Sequence, residues 1–181
     1  MSVKELQAGL EILVMVKAEA PPEERWSEAL SMLAQHTAQA LKVQPSEVAI
    51  LLRTDDGTNI KFVYPPALSS GPNNFPLSAP SLAGDVVKSA KGVLDNAFAQ
   101  TKHLSFYERM KVDPQKSGAI QKMVAAPIRG AGVPIGLIEV GRKGMDAAAA
   151  GPDFTAQDLA MLTEIGSAAA PFLLKLKPPL R

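Results

Sequence analysis

Apolar residues at Val3, Leu6, Leu10, Leu13 and Val14 recur every three or four positions, and that period predicts a short amphipathic helix between Val3 and Lys17, ended near Pro21 and Pro22. A second helix is expected from those prolines to about Lys42. Glu23 and Glu24 suit its first turn, and Trp26, Leu30, Leu33, Thr37, Ala40 and Leu41 share one side. Then the period changes. Val48 to Arg53 is a compact apolar run, residues 54–59 are dense in turn formers, and Ile60 to Tyr64 resumes strand-like residues, so this stretch reads as a β-hairpin. Prolines at 65, 66, 72, 76 and 80 mark a long loop after it.

Ser81 is placed to cap a helix from Leu82 to about Lys91, with Asp85 near its positive end and Gly92 as its stop. A strand is expected over Val93 to Phe98, and a helix of one or two turns over Leu104 to Met110. Ile120 to Arg129 and Ile135 to Arg142 read as a second hairpin around Gly130 and Gly132. An Ala/Gly loop follows from Gly144 to Asp153. Thr155 and Asp158 then resemble a capping box for a last helix with Leu159, Leu162, Ile165, Ala169, Phe172 and Leu176 on one face, which Pro171 should kink or shorten. Two hairpins exclude an all-parallel sheet, so the fold class is α+β with a central, mainly antiparallel sheet of five or six strands. Residues 1–21 form an N-terminal helical segment, 22–177 the domain and 178–181 a tail.

Composition narrows the chemistry. Of 181 residues, 46% are hydrophobic and 20% charged, which excludes a largely disordered chain. With 19 Lys and Arg against 18 Asp and Glu, the net charge of +1 gives no field for counting phosphates, so no nucleic-acid role is expected. The absence of cysteine removes disulfides, thiolate catalysis and Cys-ligated metals. The two histidines, His36 and His103, are far apart and suggest no metal site. No membrane span is expected, nor a signal peptide at Met1 to Glu5, and the expected compartment is the cytoplasm.

Three blocks carry a resemblance. Ser81 to Val87 followed by Gly92 to Ala97 is one, and Phe154 to Leu159 is another. Between them, Met123-Val124-Ala125-Ala126-Pro127-Ile128 precedes Pro134-Ile135-Gly136-Leu137-Ile138-Glu139-Val140. In that order they resemble the GAF domain family, small-molecule-sensing domains related to PAS, over roughly residues 24–175. The residues also have readings of their own: Gly136 allows a close backbone or helix approach, Pro127 suits a strand end, and Ala125 and Ala126 keep the sheet surface low. The resemblance implies terminal helices on one sheet face and, on the other, a pocket enclosed by loops and the helices around 82–91 and 104–110. Alternation sets Leu137 and Glu139 against Ile138 and Val140. Only one of these sets can face the terminal helices.

On this resemblance the ligand-pocket candidates are Leu82, Asp95, Asn96, Phe98, His103, Phe106, Tyr107, Met110, Met123, Ala125 and Glu139. Phe98, Phe106, Tyr107 and Met110 have an alternative reading as a plug that fills the pocket. Asp95 and Asn96 more often close a turn. For Glu139 the commoner position is an exposed sheet edge, with a ligand or ion pair as the alternatives. His36 reads as a hydrogen-bonded core or interface residue, and Arg129 and Arg142 as solvated strand ends. Family members that attach a bilin or reduce free methionine sulfoxide use cysteines, so neither activity is expected. The Asn-Lys and acidic-pair signature of cyclic-nucleotide binders is incomplete at Asp95 to Gln100. No cofactor is required and no nucleophile, base and orienter assemble, so no catalysis is expected. Val3, Leu6, Leu10, Leu13 and Val14 are candidates for a homodimer seam, with packing inside the chain as the alternative. The expectation is a sensory or regulatory domain with a homodimer or protein-partner output and an optional small-molecule ligand; the alternative is a ligand-free interaction scaffold.

Overall fold

Helix α1 (Val3–Met15) starts where Ser2 accepts the Glu5 N–H and the Glu5 carboxylate accepts the Ser2 N–H, a reciprocal cap that satisfies two donors at once. The computed structural model describes residues 2–69, 73–100, 118–130 and 132–181. Helix α2 (Pro22–Leu41) begins at prolines with Glu23 and Glu24 in its first turn and ends at Lys42, which turns left-handed at φ 54°. Strands β1 (Val48–Arg53) and β2 (Asn59–Tyr64) form the first hairpin. The proline-rich stretch after it is partly structured, with a single helical turn α3 (Pro66–Ser69) and a short strand β3 (Asn74–Pro76). Next come α4 (Leu82–Ser89), β4 (Val93–Asp95), the long hairpin β5 (Ala119–Ile128) and β6 (Gly136–Gly144), and α5 (Ala156–Leu176).

The six strands run in the order β3-β2-β1-β6-β5-β4 with every neighbouring pair antiparallel. This is the expected α+β class with a mainly antiparallel sheet, but β3 falls in the stretch read as a loop, and the strand expected over Val93 to Phe98 ends at Asp95, with a 3-10 turn over Phe98–Gln100. Helices α1, α2 and α5 cover one face, where Leu10, Leu33, Leu162 and Ile165 close over Ile50, Val124, Ile138 and Val140. Ile138 and Val140 are therefore the set that meets the terminal helices. Leu137 faces a second apolar cluster on the opposite side, beneath α4.

Several expectations are corrected here. Leu6, Leu10 and Leu13 are essentially inaccessible inside the chain's own core, with Val3 and Val14 packed against it, so this face is not free to form a dimer seam. The same 3-4 spacing serves both purposes, and burying each leucine is worth about 2 kcal/mol. Helix α1 thus shares the core of the domain rather than standing apart as a segment. Helix α5 runs unbroken through Pro171. The N–H that proline lacks would have bonded the Ser167 carbonyl, and both residues are exposed, so water can take that acceptor. By length and composition alone α5, with a mean hydropathy of 1.4, could cross a membrane, a run the sequence reading passed over; in the fold its apolar face packs on α1, α2 and β5. Helix α4 ends at Ala90, left-handed at φ 54°, and not at Gly92. Gly92 serves a close approach instead, since a Cβ there would lie 2.6 Å from Leu159 Cδ1 and 2.9 Å from the Ala125 carbonyl.

The segment 178–181 is no loose tail. The Leu180 N–H donates to Asp55 Oδ2 at 2.8 Å, the Asp55 N–H donates to the Leu180 carbonyl at 2.9 Å, and Lys177 pairs with the same carboxylate. These contacts hold the Asp55 carboxyl below its ordinary range, the Lys177 ammonium first and the Leu180 N–H second.

Candidate functional site

On the face opposite the terminal helices, cross-strand register lines up Ala49 of β1, Glu139 of β6, Ala125 of β5 and Val93 of β4 in one row. The adjoining row places Gly141 beside Met123 and Asp95. Glu139 is thus flanked on both sides by alanines, with a glycine two positions along its own strand, so the sheet surface is lowest around its carboxyl. Leu82, Ala83, Val86 and Val87 of α4 and Phe98 pack over this face. Of the residues the sequence singled out, Leu82, Phe98, Met123 and Ala125 come together in this cluster, with Glu139 in the same layer.

The position of Glu139 corrects the expected exposed edge. Strand β6 is paired on both sides and lies at the middle of the sheet, and Glu139 is only 5% exposed. Burial pushes its carboxyl up to about 7. Among the described residues, none donates a hydrogen bond to it or forms an ion pair with it. Near neutral pH the group divides between an acid that donates one hydrogen bond and a carboxylate that demands a donor or a cation. A buried charge-bearing group without a partner works against stability, which sets this position apart from the apolar residues around it.

Asp95 and Asn96 are engaged in structure. Asp95 Oδ1 accepts the Ala97 N–H at 2.8 Å, closing a turn, and Asn96 both accepts from the Phe154 N–H and donates to the Phe154 carbonyl at 2.9 Å. His103, Phe106, Tyr107 and Met110 lie outside the described residues. Arg129 is exposed. Arg142, read from sequence as a solvated strand end, instead donates to the Leu41 carbonyl at 3.2 Å and lies 4.7 Å from the Phe154 ring centroid, a cation–π contact. His36 is 1% exposed with neither ring nitrogen hydrogen-bonded, so the expected hydrogen-bonded histidine is corrected to a buried one without partners. Burial lowers its pKa, outweighing the upward pull of Glu5.

Two features escaped the sequence reading. Lys122, on an apolar strand, is 5% exposed and reaches the Gly151 carbonyl at 2.6 Å and the Asp153 carboxylate at 2.7 Å, tying β5 to the Ala/Gly loop. On the helix-covered side, a cleft of about 430 Å³ opens between α2 and β2, with Trp26, Leu30, Lys61, Tyr64 and Leu180 in its lining. The available signal for the second was the i, i+4 pair Trp26 and Leu30 on α2, whose partners across the cleft are distant in sequence.

Comparison with known proteins agrees with this architecture. The model of a family described as GAF domain matches residues 23–173. No curated protein sequence matches the chain. Among solved structures, residues 122 to 287 of a methyl-accepting chemotaxis protein are 13% identical, with a TM-score of 0.67, covering 94% of this chain and 96% of that one. The GAF domain from an Acinetobacter phosphoenolpyruvate-protein phosphotransferase is 18% identical, with a TM-score of 0.61 and coverage of 96% and 95%. A type II free methionine-R-sulfoxide reductase from Thermoplasma acidophilum is 20% identical, with a TM-score of 0.58 and coverage of 86% and 97%. At these identities the likeness is one of fold.

Proposed function

This chain belongs to the GAF domain family, and from that premise we propose that it is a non-catalytic sensory or regulatory module in signal transduction, which takes a small molecule over the Glu139 face of its sheet. The observation that carries the reading is Glu139 itself: a carboxyl at the centre of the sheet, 5% exposed, beside Ala49 and Ala125, with no described partner. A ligand bearing an N–H or cationic donor would supply what the protein does not. The reading needs no resident cofactor. A chain without cysteine has no thiol chemistry to offer, and this supports a binding role over a reductive one.

Output in this proposal runs through the helical side to a second copy or a protein partner. With Leu6, Leu10 and Leu13 committed to the core, the surface proposed for that contact is the outer side of α1 and its C-cap, where Ile12, Met15 and Val16 are 48%, 69% and 75% exposed. The scaffold reading draws on a different observation, the apolar cover of Leu82, Val86, Val87 and Phe98 over the same face.

Native mass spectrometry of gently purified protein, read beside the denatured mass, tests both. A reproducible added mass that Glu139→Gln abolishes supports the sensor and gives the ligand's weight. Bare protein whose melting temperature no amine-bearing metabolite raises would leave the scaffold in its place.

A further inference from the structure

The cleft between α2 and β2 lies on the opposite side of the sheet from Glu139 and is built from regular geometry. Helical spacing brings Trp26 and Leu30 onto one wall, with Ser27 and Ser31, also four apart, beside them. On β2, alternation turns Lys61 and Val63 toward the helices while Ile60 and Phe62 enter the opposite cluster, so a lysine stands beside the apolar Val63 on the helix-covered face. Tyr64 ends the strand, and Leu180 of the docked C-terminal segment completes the lining.

Among the described residues, the lining holds one cation and no carboxylate. The described ion pairs join Lys17 to Glu28, Lys122 to Asp153 and Lys177 to Asp55, and none reaches Lys61. Burial keeps the Tyr64 phenol protonated, a neutral donor at the rim. At about 430 Å³ the cleft falls in the size range of small-molecule sites. Its walls are the one tryptophan of the chain and a tyrosine, which offer flat polarisable surface at little entropic cost.

We propose that this cleft is a second ligand site, which takes a small aromatic carboxylate with its ring against Trp26 and Leu30 and its anionic group on the Lys61 ammonium. A cationic ligand would be repelled by Lys61, and a neutral aromatic would leave that charge unpaired. The hydroxyls of Ser27 and Ser31 can take the second carboxylate oxygen. Because Leu180 shares the lining, the site borders the segment held by Asp55.

The test uses the full chain and 2-naphthoate, followed by NMR at the indole N–H of Trp26, the sole such signal. The expected result is a saturable shift at millimolar ligand or below. Lys61→Met should weaken it about tenfold while the rest of the spectrum stays that of the folded parent, and uncharged 2-naphthylmethanol should bind the parent about tenfold more weakly. Glu139→Gln should leave it unchanged, since the two sites lie on opposite faces. No shift at Trp26, equal binding of the neutral analogue, or binding that Lys61→Met leaves intact would each overturn the proposal. So would a proline-rich peptide that displaces the indole signal where the carboxylate does not.

Discussion

The side-chain amide of Asn96 holds the backbone of Phe154 at both ends, accepting its N–H and donating to its carbonyl at 2.9 Å each. One side chain thereby does the work of a strand partner and fixes the start of α5, where Thr155 and Asp158 complete a capping box. Asn96→Ala strands both groups of Phe154 and should cost about 2 kcal/mol in urea unfolding. Asn96→Asp keeps the acceptor and should lose less. Equal losses for the two variants would mean that the bond accepted from the Phe154 N–H contributes nothing.

Glu139 titrates at about 7 in the fold against 4.5 when exposed, so between those values the folded state binds the extra proton. Stability therefore falls as pH rises through that window. Glu139→Gln should stabilise the ligand-free protein by about 3 kcal/mol near pH 8 and leave it unchanged near pH 4. Chemical denaturation at a series of pH values measures this, and a pH-independent difference would contradict it.

His36 works in the opposite direction. Burial lowers its pKa, so the folded ring stays neutral while the unfolded one protonates below about 6.5, and stability is lost as pH falls through that value. His36→Leu should flatten this acid slope. At neutral pH it should be neutral or stabilising by about 1 kcal/mol, because the ring nitrogens it removes have no partners. A marked loss at neutral pH would show that the imidazole does hold a partner.

Three glycines should rank by the space at their Cβ. At Gly136 that atom would lie 2.1 Å from the Leu51 carbonyl, at Gly166 2.8 Å from the Pro127 carbonyl, and at Gly130 nothing comes within 4 Å. Gly136→Ala should be the most damaging, Gly166→Ala should cost about 2 kcal/mol by forcing α5 away from β5, and Gly130→Ala should fall within about 0.5 kcal/mol of the parent. Thermal melts of the three give the order directly.

Removal of residues 1–17 takes Leu6, Leu10 and Leu13 out of the core and should leave a protein that melts at much lower temperature. Ile12→Glu, on the exposed side of α1, should keep the melting temperature and lose self-association in sedimentation. Dimers of unchanged tightness in Ile12→Glu would move the contact elsewhere.

Local signals were legible because their physics is local. Ser81 and Thr155 cap their helices through hydroxyls that accept N–H groups three residues on, and the Pro- and Gly-punctuated hairpin of residues 119–144 is written in neighbouring residues. The candidate site was half legible. Met123, Ala125 and Leu82 fell together because strand alternation and helical period fix relative faces, whereas Asp95 and Asn96 offered the same polar atoms to a ligand or to a turn, and the fold used them for structure.

What the sequence by itself determined is the long helices, the two antiparallel hairpins and the sidedness of their strands, since these follow from periods of two and 3.6 residues and from capping chemistry. Tertiary structure alone decided which side meets which neighbour. It made the Leu6, Leu10 and Leu13 stripe core rather than surface, put Glu139 at the middle of the sheet rather than its edge, docked Leu180 on Asp55, and set Lys61 across from Trp26. Each of these depends on contacts between residues far apart in the chain, whose energies no local period records.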